Sequence, residues 1–192
     1  MESIDPRKLL TIVAEILERL KIPYLITGGM AVFTWGRPRF TADIDIIVKL
    51  KIEDVNKLIR ALGELHDTGY IDKDAARKAI LCQGEFNFID GDSGIKVDFW
   101  VLGNGEFNEN QLKRRVIKKI DGRDIYFISP EDLILSKLLR HKESQSFKQL
   151  EDIESVLKIQ KKLDLGYIKK WAKKQSTVKI FESLLKKIRD IK

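Results

Sequence analysis

Asp43 and Asp45 stand one residue apart in the run Asp-Ile-Asp-Ile-Ile-Val, residues 43–48. Such a run reads as a strand, and successive strand side chains point to opposite faces. Ile44, Ile46 and Val48 then point into a core, while both carboxylates share the other face. Two carboxylates on one face repel, so one must hold a proton or a cation must relieve the conflict. A hard divalent cation suits carboxylate oxygens. A surface-facing edge strand with charges outside accounts for the same letters.

The surrounding chain supplies the rest of a mixed α/β body. Asp5-Pro6 reads as a helix cap followed by proline at the first helical position. Leu9, Val13, Ile16, Leu17 and Leu20 repeat at helical spacing over residues 6–20. Residues 24–26 form a short buried strand after Pro23, and a brief helix through residues 31–33 follows two glycines. Val55, Leu58, Ile59 and Leu62 mark another amphipathic helix. Residues 86–89 and 95–101 read as strands joined by the turn over residues 90–94, with a further strand at 125–128 after Asp121-Gly122. Ser129-Pro130-Glu131-Asp132 is a strong helix start. From there helices are predicted over 130–143, 147–163, 165–174 and 177–190. The expected division is an α/β domain over 1–128 and a C-terminal helical region over 129–192 packed on it.

Two further features bear on the aspartates. Gly28-Gly29 lies at a strand-to-helix junction, where backbone can approach a ligand closely and helix-start N–H groups attract phosphate. A tight turn would use the same residues. In Lys96-Val97-Asp98-Phe99-Trp100-Val101, Val97, Phe99 and Val101 face inward and Asp98 stands on the other face. A third strand carboxylate could complete a two-metal site that clamps attacking and leaving oxygens of a phosphoryl displacement.

Thr27-Gly28-Gly29, then Asp43-Ile44-Asp45-Ile46, then Lys96-Val97-Asp98-Phe99 resembles the signature of the nucleotidyltransferase superfamily with the polymerase β-like fold. The run from Gly28 through Arg39-Phe40-Thr41-Ala42-Asp43, with Ser129-Pro130-Glu131-Asp132-Leu133-Ile134 and Lys137-Leu138 downstream, is most similar to short stand-alone AbiEii-like nucleotidyltransferases. The resemblance spans residues 20–157. It implies an α+β (α/β) fold, a nucleotidyltransferase-like mixed β-sheet flanked by helices with a C-terminal helical region. It also implies a magnesium-dependent enzyme moving a nucleoside monophosphate from an NTP to a hydroxyl of RNA, protein or a small molecule, with release of pyrophosphate. Asp43, Asp45 and Asp98 are then catalytic and hold two Mg2+ ions. Gly28 and Gly29, helped by Thr27, hold the triphosphate. Arg39 and Thr41 face the same nucleotide, although Arg39 could instead pair with the aspartates, and Lys137 contacts phosphate by the family match or is a surface lysine. The family's usual Arg-x-Lys-Asp-Leu-x-Asp element departs here: Gln149 replaces its first aspartate and Asp152 matches its second.

Charge divides the chain. Residues 136–192 carry 16 Lys+Arg against 7 Asp+Glu, whereas the chain as a whole has a net charge of +7. The basic third either meets something anionic, RNA above all, or is a well-solvated surface. Trp171 among Lys169, Lys170, Lys173 and Lys174 could stack bases, or belong to an apolar stripe rimmed by lysine. One cysteine and two histidines argue against disulfides and zinc. No apolar run reaches the roughly 18 residues of a membrane span, and MESIDPRKLL lacks a secretory apolar region. A cytoplasmic protein is expected, with a cognate antitoxin as a possible partner. The competing function is a non-catalytic nucleotide- or nucleic-acid-binding module on the same fold.

Overall fold

The computed structural model describes residues 5–65 and 68–190; His66, for which the sequence offers no role, lies outside them. The chain divides into two compact units, one holding Phe40–Phe127 with the residues up to Met30, the other Ala31–Arg39 with the residues from Ile128 onward.

The first unit is a sheet with helices. Helix α1 (Pro6–Arg19) starts where the Asp5 side chain accepts a bond from the Arg7 amide at 3.0 Å, with proline in the first turn. Strand β1 (Tyr24–Ile26) leads into helix α2 (Gly28–Trp35), which runs on into the second unit, and strand β2 (Ile44–Val48) returns antiparallel to β1. Then come helix α3 (Ile52–Gly63), β3 (Tyr70–Ile71), α4 (Lys73–Cys82), β4 (Glu85–Ile89), β5 (Lys96–Val101), α5 (Glu106–Lys113), β6 (Val116–Ile120) and β7 (Arg123–Phe127). The seven strands form one mixed sheet in the order β3-β4-β5-β2-β1-β7-β6. β2 and β5 pair in parallel, as do β1 and β7, and the other neighbours are antiparallel.

One face of this sheet is apolar because alternate residues of every central strand are. Ile44, Ile46, Val48, Val97, Phe99, Phe86 and Phe88 are all buried, and Phe86 stacks on its cross-strand partner Phe99 with ring centroids 5.0 Å apart. α4 packs on β4 and β5, α1 on β7, and α1, α3 and α4 meet in succession.

In the second unit, helices α6 (Pro130–Ser144), α7 (Phe147–Ile159), α8 (Leu165–Lys174) and α9 (Val178–Asp190) pack α6 on α7 and α8, and α9 on α7 and α8. Ser129 caps α6 through the Asp132 amide, and the Asp132 carboxylate accepts the Ser129 and Tyr167 hydroxyls at 2.8 and 2.7 Å. Trp35 is held by both of its ends, its indole donating to the Ile128 carbonyl at 2.8 Å while its own carbonyl takes the Gln160 amide at 2.6 Å. That bond and an extended Gln160 end α7 at Ile159, four residues before the predicted end.

Trp171 is buried beside Ile168 and Ala172, so its ring belongs to the apolar stripe of α8, while Lys169, Lys170, Lys173 and Lys174 are exposed. The Lys174 ammonium lies 4.4 Å from the Trp171 ring centroid. Among the described residues, no helix is long and apolar enough to cross a membrane.

Candidate active site

The centre of the site is fixed by strand register. Asp45 of β2 lies directly opposite Asp98 of β5, with Ile44↔Val97 and Ile46↔Phe99 on either side. Parity then places both carboxylates on the face away from the apolar core. Asp43, immediately before β2, shares their parity and is exposed, whereas Asp45 and Asp98 are half-buried. On the next strand Asn87 pairs with Asp98, which extends a polar row over three strands.

The glycine turn meets this row from the β1 side. The Thr27 amide donates to the Asp45 carbonyl at 2.9 Å, continuing the β1–β2 ladder by one bond. At Gly28 the backbone enters the left-handed region, φ +58°, and α2 begins. A side chain at Gly28 would run into Asp45, whose Cβ lies 2.7 Å from the ideal Cβ position, and one at Gly29 would run into Thr41 at the same 2.7 Å. The glycines are therefore required by close approach as well as by the turn. First-turn helix N–H groups, those of Gly28 and Gly29 among them, lack intrahelical acceptors. The Thr41 hydroxyl donates to the Asp43 carbonyl at 3.2 Å and so steadies the approach to β2.

Lys96 and Trp100, which no motif in the sequence singles out, both stand two residues from Asp98 and so share its face. The Lys96 ammonium bonds Asp98 Oδ2 at 2.9 Å. The Trp100 indole donates to Asp45 Oδ1 at a long 3.4 Å. The hydrogen bond to Asp98 raises the pKa of Lys96, partial burial opposes this, and attraction from Asp98, Asp43 and Asp45 adds to it. The three carboxylates thus act on one ammonium.

Hard oxygen donors on two adjacent strands suit magnesium in type. Among the described residues, however, no three His, Cys, Asp or Glu side chains already form a metal cage. Asp98 is engaged by Lys96 instead.

Arg39 and Lys137 converge elsewhere, on Asp152 of α7. Arg39 Nε and one terminal nitrogen grip the two Asp152 oxygens at 2.8 and 3.0 Å, and Lys137 Nζ lies 2.7 Å from Oδ2. Lys137 also donates to the side-chain oxygen of Gln149 at 3.1 Å, so the family departure at 149 falls inside this cluster. Burial disfavours the charge on Asp152, but the bonds and charges of Arg39 and Lys137 outweigh it and hold the carboxyl below its ordinary range. No spacing in the sequence links residues 39, 137 and 152; each falls in a separate element of the family resemblance.

A mixed sheet that presents paired carboxylates beside a glycine turn defines a nucleotidyltransferase fold. The chain belongs to the family described as nucleotidyltransferase of unknown function (DUF6036), whose model matches residues 7–191. It is therefore an enzyme of the nucleotidyltransferase class. No match was found among curated proteins. Among solved structures it is similar to ANT(2")-Ia in complex with adenylyl-2"-tobramycin, with 16% identity and TM-score 0.61 over 90% of this chain and 97% of that one. The lincosamide antibiotic adenylyltransferase LnuA with lincomycin bound gives 17% identity and TM-score 0.56 over 83% and 100% of the two chains. An antigenic nucleotidyltransferase-like protein from Paracoccidioides brasiliensis gives 17% and 0.51 over 80% and 74%. These likenesses are of fold.

Proposed function

We propose that the protein transfers a nucleoside monophosphate from an NTP to a hydroxyl acceptor, releasing pyrophosphate, with two magnesium ions held by Asp43, Asp45 and Asp98. The observation that carries this reading is the Asp45↔Asp98 register with the Gly28 backbone against Asp45. Bound there, magnesium would offset phosphate charge and make the acceptor hydroxyl easier to deprotonate. The chain's own part is position and proton handling. Gly28 and Gly29 N–H groups hold the triphosphate, and Thr27 acts through its side chain, since its amide is spent on Asp45. Thr41 keeps Asp43 in place. Asp98 takes the acceptor's proton as its oxygen bonds the α-phosphorus and the bond to the β-phosphate oxygen breaks. Arg39 and Lys137, which both grip Asp152, keep the phosphate-contact role that the sequence elements imply.

RNA is the acceptor favoured by the exposed lysines of α8. A small hydroxyl-bearing molecule is the second reading, supported by the antibiotic-modifying enzymes that share the fold. The AbiEii-like form, with a cognate antitoxin as partner, rests on the sequence elements alone.

The deciding experiment incubates the protein with each labelled NTP and magnesium against total RNA, total protein and a panel of small polyols and aminoglycosides. Label should appear in one acceptor class and vanish in Asp45→Ala. Near-parental turnover in Asp45→Ala would remove these carboxylates from the reaction.

A further inference from the structure

Lys96 stands on the aspartate face, and the proposed reaction gives it no role. It lies two residues before Asp98 on β5, on the same face, with its ammonium 2.9 Å from Asp98 Oδ2. Its single positive charge is set against three carboxylates, so the cluster keeps two negative charges. Its side chain is 40% exposed, that of Asp98 only 15%. The ammonium is a compact charge on a flexible four-carbon stem, and swinging it into water loses little packing. An arginine at this position would behave differently, because its planar fork can grip a carboxylate with two bonds.

From this arrangement we infer that Lys96 is a tethered counter-cation: it neutralises the aspartate face before metal arrives and must leave Asp98 for a divalent cation to bind. This rests on the metal-binding reading of the three aspartates and adds to it a residue that sets metal affinity. Two opposed effects follow from one side chain. Without metal, Lys96 relieves repulsion among carboxylates and so stabilises the fold. With metal, it competes for Asp98 and weakens binding.

The test uses Mn2+ as probe, with the full chain and no nucleotide, read by electron paramagnetic resonance of free Mn2+. Lys96→Met should bind Mn2+ at least tenfold more tightly than the parent, and Lys96→Arg more weakly than the parent. In EDTA, Lys96→Met should melt below the parent and recover in excess Mn2+. Asp45→Asn serves as the control and should lose most Mn2+ affinity. If Asp45→Asn binds Mn2+ like the parent, the metal site itself is misplaced and this inference falls with it. If Asp45→Asn loses binding while Lys96→Met binds no tighter than the parent, the metal site stands and the role given to Lys96 is overturned.

Discussion

Asp152 takes a bidentate arginine and a lysine on one carboxylate whose side chain is only 4% exposed. Removing its charge leaves two cations facing each other in a buried setting, which typically costs about 3 kcal/mol. Asp152→Asn should therefore lower the unfolding free energy by about that amount in urea titrations at pH 7. The pH dependence follows from the depressed folded pKa. An aspartate that ionises more readily when folded stabilises the fold above its unfolded value of about 3.9, and this contribution is lost as pH falls toward the folded value. The parent should lose stability in that acid window, and Asp152→Asn should show a flatter profile there. Equal slopes for the two proteins would mean that Arg39 and Lys137 do not depend on Asp152. Asp132 is likewise buried, and its carboxylate accepts the Ser129 and Tyr167 hydroxyls. Part of the motif that suggested a family is occupied in capping α6 and in binding the Tyr167 hydroxyl.

The β1–α2 junction is an element whose geometry leaves no slack. Alanine at Gly28 would adopt a left-handed backbone, strained by about 1 kcal/mol or more, and would push its Cβ onto Asp45. Gly28→Ala should cut transfer far more than it cuts stability, by at least a hundredfold in kcat/KM, whereas Gly63→Ala, with open space around it, should leave transfer unchanged. Comparable activity in the two variants would detach the turn from the site.

The elements that build this site were the legible ones. β1, β2 and β5 alternate or bury apolar residues in an ordinary way, and the carboxylates interrupt that pattern where it can be seen. Four elements escaped the sequence reading for the opposite reason. α4 buries only Ala76 and Ala79, α5 buries only Gln111, β3 has two residues, and no residue of β6 is fully buried. None of them offers a hydrophobic period. The Asp121-Gly122 turn and β7 were read without β6, the strand that the turn joins to β7. The roles of Lys96 and Trp100 were within reach of the alternation rule. The partnership of Arg39 with Asp152, 113 residues apart, was not.

At the scale of the whole molecule, charge is segregated along the chain, with 16 basic against 7 acidic residues in residues 136–192. Some of this charge is already spent: Lys137 on Asp152, Lys158 and Lys187 on Glu154, and Lys174 over Trp171. Lys169, Lys170 and Lys173 of α8 are exposed on the side away from its buried stripe of Ile168, Trp171 and Ala172, which makes them the better probes of an anionic partner. Reversing these three to glutamate avoids the Trp171 contact and should leave the melting temperature close to the parent's. If RNA is the acceptor, each lysine–phosphate contact releases a counterion, and log affinity falls with log salt by about 0.7 per contact on a single strand. The triple variant should bind RNA more weakly and show a salt slope shallower by about 2. NTP binding at the aspartate face should be unchanged, as read by equilibrium dialysis with labelled nucleotide. A variant that binds RNA as tightly as the parent, with the same salt slope, would make these lysines solvated surface. The acceptor would then be sought among small hydroxyl compounds and proteins.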